Sequence, residues 1–321
     1  MKFSDYLRAW LRNKAPVLER STYEAYMTYI EKHICPYFDQ LGKPLEDLRP
    51  LDIRDYVTAK STGGRMDGKP GGLSAPSVRK HLFIIKQALR DAALYEYIPR
   101  NPAEPVRLPR SVPVSHSAQF ISAERARAIL AAFVGHPLRP LILTTLYYGL
   151  RRSEVLGLRW GAIDPDRGEL RIEHTVVKHL TVVCKDRTKT PSSRRTFPLL
   201  PEVWQELQSL RPPAPNPKAY VFAEPNGEPP HPDRITRGFR SVLRQHGLPL
   251  IRFHDLRHAT ATILFDAGWS VPDVQHWLGH GDIETTMNIY AAYNSTRKLK
   301  VGGTLSEIFG AIDTKKKPSG S

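Results

Sequence analysis

The hydrophobic and polar positions in the first part of the chain alternate with the period of an α-helix. Apolar residues recur every three or four positions from Tyr23 to Ile34, after a capping-box sequence at 21–24, and they predict a helix over about 22–33. The same spacing from Val78 to Ala92 predicts a second helix. Its basic residues fall on another face and are candidates for phosphate contact: Arg79, Lys86 and Arg90. A small helical domain is therefore predicted here.

Two stretches rich in Gly, Ser and Pro interrupt this pattern. The first, from Ser61 to Ser77, predicts a long loop, which either contributes Arg65 and Lys69 to a binding surface or simply connects two helices. The second, from Asn101 to Ser117, has no apolar period. The chain is therefore divided into a helical domain at 1–105, a Pro-rich linker at 106–118, a larger domain at 119–300 and a C-terminal segment with a tail at 301–321.

Helical and strand patterns alternate in the second half. Helices are predicted around 123–133 and 140–148, and a short helical run follows the break at Gly149, over 153–158. Residues 168–177 alternate and are rich in β-branched side chains, and residues 187–199 are interpreted as a β-hairpin. Helices return after position 201. The predicted fold is mainly α, with a small antiparallel β-sheet in the larger domain.

One of these later helices is strongly basic. Ile235, Phe239 and Val242 form its apolar side, and arginines occupy the opposite side. Such a face is either a solvated surface or a nucleic-acid contact. The arginines are Arg234, Arg237, Arg240 and Arg244.

The charge of the whole chain favours a polyanionic partner. Lys and Arg number 47 against 32 Asp and Glu, which gives a formal net charge of +15. Charge alone does not separate DNA from RNA or a membrane surface. No apolar run approaches the roughly 20 residues that span a bilayer, and the N-terminus is not a signal peptide, so we expect a soluble intracellular protein. The cysteines, Cys35 and Cys184, are too few for a disulfide scaffold or a thiolate metal site.

Residues suited to phosphodiester chemistry are concentrated in the second half. Cutting DNA or RNA requires a nucleophile, groups that stabilise charge on the nonbridging oxygens, and a proton donor for the leaving oxygen. Arg151 follows a glycine break, where its planar guanidinium could enter a cleft and bind phosphate. His254 and Arg257 lie three positions apart at the start of a predicted helix. His280 lies at the turn before the helix that carries Tyr290.

This ordered set of motifs resembles the catalytic domain of the tyrosine recombinase, or phage integrase, family. The sequences GLRRSEVLGLRW, HDLRH and LGHGDIETTMNIY resemble three boxes of that family. The resemblance assigns catalytic roles to Arg151, His254, Arg257, His280 and Tyr290. Lys189 matches the lysine that the family carries on a mobile β-hairpin, with Lys185 and Lys178 as neighbouring alternatives.

The first half is similar to the family's helical, SAM-like core-binding domain, so the resemblance covers roughly residues 1–310. It implies a two-domain clamp around DNA. Many integrases of conjugative transposons and temperate phages also carry a small N-terminal domain for arm sites, whereas this sequence starts directly at the core-binding helices. Either the coding sequence lacks that domain or the chain is a truncated form.

The resemblance implies a site-specific recombinase of a mobile element, which acts without metal or nucleotide. Tyr290 would attack a backbone phosphate and leave a 3′-phosphotyrosyl end and a free 5′ hydroxyl. We expect Arg151, Arg257 and His280 to stabilise the nonbridging oxygens, His254 to act as acid or base, and Lys189 to protonate the leaving oxygen. The expected partners are double-stranded DNA core sites, three further copies in a tetramer, and an excision factor or DNA-bending protein.

Other interpretations of the same residues remain open. His254 with His258, and His276 with His280, have the spacing of helical zinc sites, but a metal there would place Arg257 as a cation beside it. A nonenzymatic DNA-binding regulator would also be basic and helical, and a type IB topoisomerase or telomere resolvase would share the tyrosine chemistry. Glu154 either orients a basic residue or is a surface charge. The apolar segment near the C-terminus, LSEIFGAI, packs on its own domain or on a neighbour's, and the latter is favoured by the resemblance.

Overall fold

The structure is a computed structural model that describes residues 1–108, 121–178, 182–185, 194–279, 281, 283–284, 286–291 and 293–294. By its internal contacts the chain divides into two compact units, Met1–Ser115 and His116–Ser321. Each unit has its own hydrophobic core. Within the described residues, no helix is both long and apolar enough to cross a membrane.

The named elements of the first unit, in its described part, are all helical. Its helices are α1 Phe3–Lys14, α2 Arg20–Tyr29, α3 Cys35–Leu41, α4 Pro50–Thr62 and α5 Ala75–Leu94. A π-helical turn, Ile30–Ile34, joins α2 to α3. Helix α5 begins after Ser74, whose hydroxyl accepts a hydrogen bond from the Ser77 N–H. The apolar face predicted for α5 is confirmed, because these residues are all buried: Val78, Leu82, Ile85, Leu89 and Ala92.

Some local predictions for this unit were wrong in detail. Helix α2 has Glu19 as its N-cap residue, so Ser21 lies inside the first turn and does not cap it. The loop predicted at 61–77 is shorter, because helix α4 continues to Thr62 and α5 begins at Ala75. Val106, at the start of the predicted linker, is buried in the core of this unit.

The second unit combines helices with short antiparallel strands. Its helices are α6 Ala123–Ala132, α7 Arg139–Tyr148, α8 Arg152–Leu156, α9 Pro201–Gln208, α10 Pro232–Gln245, α11 Asp255–Asp266 and α12 Val271–Leu278. Its strands are β1 Ile163–Asp164, β2 Glu169–Ile172, β3 Thr175–Lys178, β4 Val182–Lys185 and β5 Arg195–Pro198. Strands β1, β2 and β5 form one sheet in that order, and β3 pairs with β4. The predicted fold class, mainly α with a small antiparallel sheet, is confirmed.

The predicted hairpin at 187–199 falls only in part on described residues, since 187–193 lie outside them. In the described part of that segment, β5 pairs with β2, and Ile172 lies opposite Arg195. The hairpin partner of β3 is instead β4, with Thr175 opposite Lys185. Lys189 lies outside the described residues, as do the side chains of Lys178 and Lys185. The pairing matters for the site described next, because it brings Arg195 to the core face of the sheet.

Candidate active site

The backbone around Gly149 determines where Arg151 lies. Helix α7 ends at Gly149, which has a left-handed conformation with φ of 61°. A Cβ atom at this position would lie 2.3 Å from the Cδ2 atom of Leu278 in α12. Both the backbone conformation and this close approach therefore require glycine. The chain then turns so that Arg151 is the N-cap residue of α8.

Glu154, in the first turn of α8, is the centre of an arginine cluster. Its side chain is 1 % exposed. The N–H of Arg151 donates to Glu154 Oε2 at 2.8 Å, and the Arg151 Nη1 donates to Oε1 at 2.6 Å. Arg195 donates to both carboxylate oxygens, from Nη1 to Oε1 at 3.2 Å and from Nη2 to Oε2 at 2.9 Å. The interpretation of Glu154 as a surface charge is therefore wrong, and it orients basic residues.

Arg257 joins the same cluster from helix α11. The residue is 0 % exposed. The Arg257 Nη1 donates to the main-chain oxygen of Gly149 at 2.7 Å and lies 3.9 Å from Glu154 Oε2. Arg151 is also tied to the end of α12, because its Nη2 donates to the main-chain oxygen of Gly279 at 3.0 Å. The two arginines predicted to be catalytic are therefore brought together from stretches more than a hundred positions apart.

The charges of this cluster shift the pKa values of its members. Burial alone would raise the pKa of Glu154, but the charges and hydrogen bonds of Arg195, Arg151 and Arg257 lower it to about 2. Desolvation and the neighbouring charge of Arg151 lower the pKa of Arg257, although a guanidinium stays protonated at neutral pH. The carboxylate is thus shared by several cations, and the site has a positive potential that suits an anion.

His254 lies at the N-terminal end of α11, beside this positive charge. Its ring centroid is 4.9 Å from that of His258. The residue as a whole is exposed, yet desolvation of the ring, together with His258 and Arg257, lowers the pKa of His254 to about 4. The cationic neighbours lower this pKa, as desolvation does. At neutral pH the imidazole is therefore uncharged and can accept a proton.

Tyr290 lies in the helical residues 286–291 and is half-buried. Its ring packs edge-on against Phe265 of α11, with centroids 5.1 Å apart. The buried face of this helix includes Ile289 and Tyr293. Ile283 and Met287, in the same helical stretch, are about half exposed. The phenol is consequently held by the helix that carries Arg257.

The other predicted catalytic residues, His280 and Lys189, lie outside the described residues. Sequence reasoning also missed one member of the cluster, Arg195. Its basic character was visible in the sequence, but its neighbour Arg194 has the same character and is exposed. Only the period-two alternation of β5, in which Arg195 shares a face with the buried Phe197, could have separated them.

The predicted DNA-contact residues of the first unit have different environments. Arg79 and Arg90 are exposed on α5. Lys86 is partly buried, and its Nζ donates to the main-chain oxygen of Glu104 at 3.0 Å. Arg90 also lies 3.7 Å from the Glu104 carboxylate. Arg79 and Arg90 are thus the more accessible of the set.

The arginines of α10 form an exposed face, as the sequence predicted. Ile235, Phe239 and Val242 are buried on the other side of this helix. One arginine, Arg234, is paired with Glu224. The exposed arginines are Arg234, Arg237, Arg240 and Arg244.

Metal ligands do not cluster in the described part of the chain. No group of three or more His, Cys, Asp or Glu side chains there could hold a metal ion. Of the two histidine pairs with zinc spacing, His254 and His258 pack edge to face beside Arg257, and the other pair includes the undescribed His280. A cation so close to Arg257 would be repelled by it.

Comparisons with known proteins cover both units. Residues 119–297 match the phage integrase family, and residues 2–61 match the phage integrase N-terminal SAM-like domain. A tyrosine recombinase XerC-like protein of Caldanaerobacter subterraneus is 27% identical over 335 residues, with 95% of this chain and 83% of that protein covered. The ICEBs1 integrase of Bacillus subtilis is 25% identical over 302 residues, with 87% and 76% covered.

Solved structures share the fold. The Tn1549 transposon integrase in complex with a circular intermediate DNA superimposes with a TM-score of 0.72 at 19% identity, with 93% of this chain and 99% of that chain covered. A lambda integrase dimer bound to a COC′ core site gives a TM-score of 0.67 at 19% identity, with 90% and 77% covered.

The family match and the integrase relatives define a DNA strand-transferring enzyme. Since the family match spans more than half of the chain, the chain belongs to the phage integrase family of tyrosine recombinases. It acts in site-specific recombination, by integration and excision, and the resemblance stated from its motifs is confirmed. The topoisomerase, telomere-resolving and regulatory alternatives are not favoured by these comparisons.

Proposed function

We propose that this chain cuts and rejoins double-stranded core sites of a mobile element through a covalent bond between Tyr290 and a 3′ phosphate, without metal or nucleotide. The observation that carries the assignment is the cluster in which Arg151, Arg195 and Arg257 share the carboxylate of Glu154. Cations that share one buried carboxylate favour an additional anion. The scissile phosphate of DNA is an anion with the required geometry for guanidinium groups.

Arg151 and Arg257 are assigned to the two nonbridging oxygens. Guanidinium donors fixed in place before the reaction stabilise the charge that develops on the pentavalent phosphorus. The side chain of Arg151 is 33% exposed, so this residue can meet the phosphate first. Arg257 is 0 % exposed, and we expect a neighbouring group to move when DNA binds.

His254 is assigned to proton transfer at the tyrosine. A free tyrosine has a pKa of about 10, so the phenol needs a base at neutral pH. The lowered pKa of His254 keeps its imidazole able to accept that proton. His280 as a hydrogen-bond donor and Lys189 as the proton donor to the leaving 5′ oxygen are proposed from their motifs. The phosphotyrosyl bond retains the energy of the cleaved linkage, so a hydroxyl of the second strand can rejoin it.

The proposed partners follow from the reaction. Recombination cuts both strands of two duplexes, which requires four active sites and therefore a tetramer on synapsed DNA. Lambda integrase has been solved as a tetramer bound to a Holliday junction, in agreement with this stoichiometry. We further propose an excision factor or DNA-bending protein as an accessory partner, and action at the bacterial nucleoid, where the DNA substrate lies.

A nicked suicide substrate tests the function directly. The wild-type chain is expected to form a covalent adduct that survives denaturing electrophoresis, and Tyr290→Phe is expected to bind DNA but form none. Tyr293→Phe is the matched control, because Tyr293 is the buried neighbour whose ring lies 6.2 Å from that of Tyr290. Adducts with Tyr290→Phe would overturn the nucleophile. Relaxation of supercoiled DNA without strand exchange between two sites would overturn the recombinase assignment in favour of a topoisomerase.

A further inference from the structure

We propose that Arg195 is a positioning residue for cleavage, which holds the Glu154 carboxylate and thereby leaves the positive charge of Arg151 and Arg257 available to the scissile phosphate. This inference rests on the proposed function and names a member of the site that the sequence motifs did not assign. Arg195 is not itself placed against the phosphate. It acts through Glu154.

Arg195 forms a buried ion pair with Glu154. Its side chain is 7% exposed, and the carboxylate that it binds is 1% exposed. Both of its terminal nitrogens donate to Glu154, one to each oxygen. Bidentate geometry of this kind fixes direction as well as distance, and a lysine cannot reproduce it.

The aromatic surroundings hold the Arg195 guanidinium in that direction. Its central carbon lies 5.1 Å from the ring centroid of Phe197, on the same face of β5. Phe197 in turn packs against Tyr148 at 4.9 Å and Trp277 at 4.8 Å between ring centroids. Tyr148 ends α7 directly before Gly149. The aromatic side chains that hold Arg195 therefore also pack against the end of the helix that leads to Arg151.

The Glu154 carboxylate is shared among several arginines, and this sharing explains why Arg195 matters for cleavage. Glu154 Oε1 receives hydrogen bonds from both Arg151 and Arg195, and Oε2 receives them from the Arg151 N–H and from Arg195. Without Arg195, the full carboxylate charge would act on Arg151 and Arg257 alone. Those two guanidinium groups would then be drawn toward Glu154 and partly neutralised, and they would stabilise the transition-state charge less well.

The test compares two substrates in single-turnover cleavage at saturating protein. One suicide substrate carries the normal scissile phosphate, and the other carries a methylphosphonate, in which a methyl group replaces a charged nonbridging oxygen. Arg195→Met is expected to slow adduct formation on the phosphate by about tenfold or more, equivalent to one interaction in the transition state. On the methylphosphonate the loss should be much smaller, because less charge has to be stabilised. An equal loss on both substrates would overturn the proposal, since a merely structural defect does not distinguish them.

Further variants keep the result interpretable if Arg195→Met folds poorly. Arg195→Lys retains the positive charge but not the bidentate geometry of the guanidinium, and it is expected to recover part of the rate of adduct formation. In a Glu154→Gln background the effect of Arg195→Met should shrink, because the competing carboxylate is gone, and full additivity would contradict the coupling. Arg167→Gln is the charge-matched control, because Arg167 is exposed in the β1–β2 turn.

The outcomes also separate this inference from the proposed function. If the wild-type chain forms no adduct at all, the proposed function fails. If the wild-type chain forms adducts and Arg195→Met forms them equally fast on the normal phosphate, only the role of Arg195 fails.

Discussion

The guanidinium of Arg257 donates a 2.7 Å hydrogen bond to the main-chain oxygen of Gly149, two residues before Arg151. Helix α11 is further tied to α7 by the hydroxyl of Thr260, which donates to the main-chain oxygen of Leu146 at 2.6 Å. The position of one catalytic arginine therefore depends on the backbone that introduces the other. Disturbing this junction should affect both arginines at once.

Replacing Gly149 tests that dependence. Gly149→Ala forces an L-residue into a left-handed conformation, which costs about 1–2 kcal/mol, and its Cβ would lie 2.3 Å from Leu278. We expect a lower free energy of unfolding and a strong loss of adduct formation. Gly168→Ala is the matched control, since Gly168 has φ of 65° but no described atom within 4 Å of an added Cβ. Gly168→Ala should be destabilised only by the conformational cost and should keep its activity. Equal behaviour of the two variants would contradict the packing argument.

The buried carboxylate of Glu154 predicts that the protein loses stability at acid pH. The pKa of Glu154 is lowered to about 2 from an ordinary value of 4.5, so its charged form stabilises the fold above pH 4.5, and that contribution is lost as the pH falls toward 2. Glu154→Gln should lower the free energy of unfolding at pH 7 by about 3–5 kcal/mol, as expected for breaking a buried ion pair. Chemical denaturation at several pH values should show the difference from wild type narrowing below pH 4.5. A constant difference would refute the assignment.

The first unit contains an independent pH-sensitive group, His81. Burial and the nearby His33 and Lys60 lower the pKa of His81 to about 4, while its Nδ1 is 2.9 Å from the hydroxyl oxygen of Tyr56. Because the unfolded chain takes up this proton at a higher pH, the unit should lose stability as the pH falls from 6.5 toward 4.

Histidine NMR titration of the full chain should place the His81 transition near pH 4. His81→Gln should flatten the pH dependence of unfolding between pH 4 and 6.5, whereas His246→Gln, at an exposed position, should not. A His81 titration near 6.5 would contradict the burial argument.

The exposed arginines of α10 should differ in their contribution to DNA affinity. Each phosphate contact that is lost reduces the slope of log affinity against log salt by about 0.9. Arg237→Gln and Arg240→Gln are each expected to reduce the slope by about one such contact, because both side chains are exposed. Arg234→Gln should have less effect, since Arg234 already pairs with Glu224. Fluorescence anisotropy over a salt series measures this, and unchanged slopes for Arg237 and Arg240 would remove α10 from the DNA surface.

Much of the fold could be predicted from local sequence. The period of α5 identified its buried residues, and the glycine break identified the turn that introduces Arg151. The pairing of β5 with β2 could not be predicted from local sequence, because periodicity indicates a strand but not its partner. In the helix with Tyr290, Ile289 is buried and Met287 is about half exposed, because Ile289 packs in one cluster with Ala261 and Phe265 of α11.

By itself the sequence determined the element types, the family boxes and the chemical groups that a phosphodiester reaction requires. Tertiary structure alone decided that Glu154 is buried and that Arg195, 41 positions away, divides its carboxylate with Arg151. The physical reason is range. Local periodicity specifies which side of an element avoids water. A buried charge must be compensated by a partner, and the packing of distant segments decides which residue that partner is.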